Sequence, residues 1–126
     1  MKHILIACCI LFVVLAFCIF SMAYIRNATA KTLDALTAAY EYAENRDFVS
    51  VSAALARTER CWRQYESFCS ALLAHDEVDR IVTDLASLRE YARLGDTDDF
   101  LATAASLAEA IRHMRQAELP LYYNIL

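Results

Sequence analysis

Hydrophobic and polar positions divide the chain into one unbroken apolar block followed by four stretches of helical period. The block, residues 4–25, reads ILIACCILFVVLAFCIFSMAYI and contains no charge, no Gly and no Pro. As a helix it would extend about 33 Å, enough to cross a hydrocarbon core of about 30 Å. Beyond Arg26 the pattern changes to stripes. Leu33, Leu36, Tyr40 and Ala43 recur at spacings of three and four, one face of a helix that continues from the block without an intervening Gly or Pro. Asn45-Arg46-Asp47 is the first break, with Asn45 or Asp47 placed to cap the next helix.

The second helix has the strongest period. Phe48, Leu55, Trp62 and Cys69 recur every seven residues, interleaved with Val51, Thr58, Tyr65 and Leu72, as a and d positions do. It is expected to end near His75, where Asp76 would cap a third helix with Glu77 and Asp79 at the positive end of its dipole. That helix carries Val78, Ile81, Leu85, Leu88 and Ala92 and stops at Gly95. Asp96 or Thr97 opens the fourth, whose stripe is Phe100, Ala104, Leu107, Ile111 and Met114. Pro120 closes it.

These stripes predict an all-α chain: an N-terminal single transmembrane helix (1–25), an antiparallel up-down bundle of about four helices on a stalk (26–119), and an apolar C-terminal tail (120–126). The expected core is Phe48, Leu55, Trp62, Leu85, Leu88, Phe100, Leu107 and Ile111. A shift of fifty-two residues aligns DFVSVSAAL at 47–55 with DFLATAASL at 99–107 and pairs Leu33 with Leu85 and Leu36 with Leu88. The bundle would then be two repeated helical hairpins. One geometric conflict arises. A second helix of about 28 residues outruns the first, whose portion beyond the membrane is about 20 residues, so a bend near Ser67 or a frayed membrane exit is expected.

Composition narrows the class. A single Gly and a single Pro exclude turn-rich β folds. After residue 25, eleven Lys and Arg face sixteen Asp and Glu, an acidic balance that argues against nucleic acid as a partner. Cys8, Cys9 and Cys18 lie in the apolar block. Cys61 and Cys69, eight apart on one helix, are about 12 Å from each other and beyond disulfide reach.

Two processing signals compete with an anchor. Ser21-Met22-Ala23 and Ala28-Thr29-Ala30 have the small-x-small form of a cleavage site, but the apolar block is longer than the 7–15 residues or so of a secretory core. Leu5-Ile6-Ala7-Cys8 resembles a lipobox, with too few residues before it. An uncleaved single-pass anchor is the expectation, contacting the bilayer through residues 4–25. Lys2 on one side and Arg26 with Lys31 on the other leave the positive-inside count undecided. An apolar block at the N-terminus is the usual form of a signal-anchor, which places the N-terminus inside and the domain outside the cytoplasm.

Candidate chemistry is sparse. No nucleophile motif, phosphate loop or paired-Cys ligand set occurs, so no catalytic or cofactor-binding residue and no cofactor is assigned, and the chain reads as a non-enzyme. His75 and Asp79, four apart, could meet His113 from the fourth helix at the membrane-proximal end. This trio is the weak candidate for a metal, against the simpler reading of ordinary helix-terminus residues. Tyr122, Tyr123, Asn124, Ile125 and Leu126 form the candidate interaction tail.

One span, then Trp62, Phe68, His75-Asp76-Glu77, Leu88 with Tyr91, Asp99 opening a helix, Ile111 and a terminal Asn124-Ile125-Leu126 together resemble the bacterial domain-of-unknown-function 4363 family. The resemblance implies a short membrane-anchored helical protein and supplies no activity, cofactor or partner. The expected role is a membrane-tethered module that binds another membrane or extracytoplasmic protein. The rivals are an extracytoplasmic ligand-sensing bundle, with room left by Ala53, Ala54, Ala104 and Ala105, and a metal-binding bundle using His75 and His113.

Overall fold

The computed structural model describes residues 1–72 and 75–118, omitting the side chains of Tyr65, residues 68–72, Ala117 and Glu118. Four helices account for nearly all of it: α1 (Lys2–Glu44), α2 (Phe48–Leu72), α3 (His75–Leu94) and α4 (Thr97–Glu118), with no strand among the described residues. α1 packs on α2 and α4, and α3 packs on the same two helices. Among the described residues the diagonal pairs make no close backbone approach, which defines a square up-down-up-down bundle. It consists of two helical hairpins, α1–α2 and α3–α4.

The apolar block and the first bundle helix are one element. α1 runs for 43 residues without interruption, a rod of about 65 Å. Among the described residues it is the one helix long and apolar enough to cross a membrane. Residues 1–20 are exposed throughout, and burial begins at Ser21 and Ile25, still inside the apolar block. The expected stalk is therefore absent. The expected frayed exit is absent too, since α1 passes Arg26 unbroken, and α2, 25 residues long, stays helical past Ser67. The length conflict is resolved by overlap, with α2 running down beside the apolar block itself.

The buried face of α1 also departs from the expected stripe. Leu36 and Ala43 are buried, but Leu33 and Tyr40 are only partly so. The face is made instead of Ala28, Thr29, Thr32, Ala35, Leu36, Ala39 and Ala43. Small side chains let α2 and α4 approach closely, and the large ones come from them: Trp62, Phe100, Leu107 and Ile111 are each no more than 1% exposed. Three buried threonines carry no unmet polar cost. Thr29 Oγ1 donates to the Ile25 carbonyl (2.8 Å), Thr32 Oγ1 to that of Ala28 (3.0 Å) and Thr58 Oγ1 to that of Ala54 (2.9 Å).

Of the residues expected in the core, Leu55, Trp62, Leu85, Leu88, Phe100, Leu107 and Ile111 are buried, and Phe48 is partly buried against them. The stripes of α3 and α4 are buried in full. Positions related by the fifty-two-residue shift share that environment: Leu36 with Leu88, Leu55 with Leu107, and Trp62 with Met114 are all core.

Both hairpin turns use one device. At the end of α1, Arg46 takes a left-handed φ of 56° and the Asp47 amide donates to the Tyr42 carbonyl at 3.0 Å. After α3, Gly95 takes φ 69° and the Asp96 amide donates to the Tyr91 carbonyl at 3.0 Å. Each is a Schellman closure followed at once by an aspartate cap. Asp47 Oδ1 accepts the Ser50 amide (3.3 Å), and Asp96 Oδ1 accepts the Asp99 amide (3.3 Å). Asp76 does not cap α3, which begins one residue earlier at His75 and holds Asp76 and Glu77 inside its first turn.

Candidate functional site

The turn chemistry makes the end of the bundle farthest from the apolar block acidic. Asp96, Asp98 and Asp99 open α4, Asp47 opens α2, and Glu41, Glu44 and Glu90 lie within a turn or so of the same end. Repulsion from Asp96, a hydrogen bond to it and the nearby Asp98 push the Asp99 carboxyl above its ordinary pKa. Asp47 is held below its own by hydrogen bonds from the Ser50 hydroxyl and amide. Glu90 is lowered by its hydrogen bond from the Arg93 guanidinium.

The metal candidates do not assemble. His75 and Asp79 are exposed in the opening turns of α3, and His113 is exposed on α4. His113 lines a depression of about 100 Å³ with Glu77, Arg80, Ile81, Ala110 and Met114, so its neighbours there are not His75 and Asp79. Among the described residues no group of three or more His, Cys, Asp and Glu side chains could hold a metal ion.

Two grooves run along the bundle sides. Between α1 and α4 a groove of about 440 Å³ is lined by Leu36, Thr37, Tyr40, Ala104, Ala105, Ala108, Glu109 and Arg112. Its floor is apolar because three alanines of α4 face the aliphatic and aromatic flank of α1. Arg112 and Glu109 pair at 3.2 Å on its rim. Between α2 and α3 a second groove of about 350 Å³ is bridged by Arg89, whose Nε and Nη2 donate to Glu59 Oε1 at 3.1 and 2.5 Å. Ala104 and Ala105 thus do leave space, whereas Ala53 is simply exposed and Ala54 is core. The part played by Leu36, Thr37 and Tyr40 was not signalled by the stripe alone. The spacing Ala104-Ala105-Ala108 on one helical face is the pattern that marks such a groove.

At the end beside the apolar block, the Tyr24 hydroxyl donates to the Gln64 carbonyl at 3.3 Å and ties α2 to that block. Cys61 is half-buried beside this contact and free. Residues 120–126, which hold the expected interaction tail, lie outside the described residues.

A family model described as "Domain of unknown function (DUF4363)" matches residues 19–125. The match starts two residues before Ser21, where burial starts, and so covers the bundle and the last turns of the apolar block. Comparison with curated proteins and with solved structures returns no match.

Proposed function

The chain belongs to the DUF4363 family, and from that premise we propose that it is a membrane-anchored, non-enzymatic helical module that holds a partner protein close to the bilayer. One observation carries the reading: the apolar segment and a core helix of the bundle are a single unbroken α1. A bundle joined in this way cannot swing freely, so whatever it grips has a set height and direction relative to the membrane. Burial of Ala28 and Thr29 supports a retained anchor, because cleavage after Ala30 would strip the core of both. The long N-terminal apolar segment supports a span with the bundle outside the cytoplasm.

Inserting a flexible Gly-Ser segment between Phe20 and Ser21 tests the reading. The bundle's own packing is left whole, but its rigid connection is lost. With a photo-crosslinking residue at exposed Ala105, the native chain should give a discrete adduct with one membrane or extracytoplasmic protein, and the insertion should remove it. Featureless recovery from the native chain would sink the module reading; an adduct untouched by the insertion would sink the rigid-positioning part.

The α1–α4 groove favours a second reading, a bundle that senses a small apolar ligand. Its volume of about 440 Å³ falls in the range of about 300–1,000 Å³ of small-molecule sites. Saturation-transfer NMR with small apolar amphiphiles should show binding to the nanodisc-held chain above empty discs, and Ala105→Trp should abolish it. Equal signals from native chain and empty discs would remove this reading.

A further inference from the structure

We propose that the apolar tail, residues 120–126, turns back at the end of α4 and lies in the α1–α4 groove of its own chain, so that anything else entering that groove must displace it. The seating stands apart from the partner-module reading; the competition rests on it.

Chain length and direction come first. Residues 119–126 read LPLYYNIL, follow α4 and lie outside the described residues. Pro120 opposes continuation of the helix, because it has no amide to donate and disfavours helical backbone at Leu119. The tail therefore starts at the foot of the α4 wall of the groove. Arg112 and Ala105, which line that wall, lie six and thirteen residues before Glu118, about 9 and 20 Å back along the helix. Residues 121–126 in extended form cover about 20 Å. A tail folded back on α4 thus reaches the groove and ends with it.

Chemistry then selects among the seams. Residues 119–126 carry no charge, and leaving their Leu, Tyr and Ile side chains in water is costly. The α1–α4 groove offers an alanine floor, and its charged residues, Glu109 and Arg112, are paired with each other on the rim. On the other flank of α4, the depression against α3 is about 100 Å³ and carries Glu77, Arg80 and His113. α4 forms no wall of the α2–α3 groove, where the tail would cover Glu59, Arg63, Glu66 and Arg89. An uncharged segment there removes water from charges and returns nothing to them. In an extended segment alternate side chains share a face. Leu121, Tyr123 and Ile125 enter the groove, and Tyr122 and Asn124 face water. The DUF4363 match runs to residue 125, so the tail belongs to the same unit as the bundle.

The test uses the full chain in nanodiscs, with a photo-crosslinking residue at exposed Thr37 on the α1 wall. Trypsin cuts after Lys31, Arg46 and Arg115, so an adduct joining residues 32–46 to residues 116–126 is expected. Discs holding a mixture of isotope-labelled and unlabelled chains should give no mixed adduct. The same probe at exposed Ala86, in the α2–α3 groove, should give several-fold less tail adduct. Tyr123→Asp with Ile125→Asp should cut the Thr37 adduct several-fold, whereas Tyr122→Asp should not. Equal tail adducts at Thr37 and Ala86, or a Thr37 adduct indifferent to the aspartate pair, mean an unseated tail and overturn the proposal. So does absence of a tail adduct from both Thr37 and Ala105, which leaves the tail to lipid or water. A mixed-isotope adduct overturns it in favour of a second copy. Removing residues 120–126 should raise the partner adduct at Ala105 several-fold, and an unchanged adduct overturns the competition. A tail adduct in a chain that captures no partner leaves the seating standing and removes the module reading.

Discussion

Trp62→Ala is expected to destabilise the bundle by about 3–5 kcal/mol. The side chain is 1% exposed. It comes from α2, and it lines the α2–α3 groove with Leu85, Val82 and Ala86. The small residues of α1 cannot move in to fill its volume, because the part of that helix inside the bundle is held by both α2 and α4. The loss would consume a large share of the 5–15 kcal/mol or so that a domain possesses. Chemical denaturation of the disc-held chain, followed by far-UV circular dichroism, measures it. A loss below about 1 kcal/mol would contradict a core role and make Trp62 a surface anchor for a partner.

The position of Trp62 was legible in the sequence because a seven-residue period survives any ordinary error in helix ends. The same holds for Val78, Ile81, Leu85 and Leu88, and for Phe100, Leu107 and Ile111, all at regular spacing and all buried. α1 was harder to read for a physical reason. Its inward face is alanine and threonine, whose modest hydrophobicity does not stand out against Leu33 and Tyr40 on the flank. Turn chemistry was half legible. Gly95 announces a left-handed residue, but Arg46 adopts the same conformation with no glycine to mark it. The overlap of α2 with the apolar block was visible as a conflict of lengths, and its resolution needed the Tyr24–Gln64 register. The grooves depend on which faces meet, which no single helix reveals.

Asn27→Pro is expected to cost about 3 kcal/mol or more, almost all of it through the backbone. Asn27 is exposed, so little packing is lost with its side chain. Proline there removes the amide that closes the helical turn on Ala23 and presses its ring on that carbonyl, at the point where the apolar block joins the bundle. Asn27→Ala should change stability little, which separates the backbone effect from the side-chain effect. Thermal denaturation of both variants in nanodiscs checks this. Equal melting temperatures would mean that α1 is not continuous through this junction.

The alanine and threonine face of α1 bears on how the protein is made. The ribosome releases α1 before α2, α3 and α4 exist, so its inward face must wait without partners. Were that face leucine-rich, the apolar block would merge with it into one long exposed hydrophobic stretch. Ala28, Thr29, Thr32, Ala35 and Ala39 keep the waiting segment wettable. The hydrophobic bulk arrives later, on Trp62, Ile81, Leu88 and Phe100. The division of labour between small and large residues thus orders folding: α1 stands alone first, and the core closes onto it afterwards.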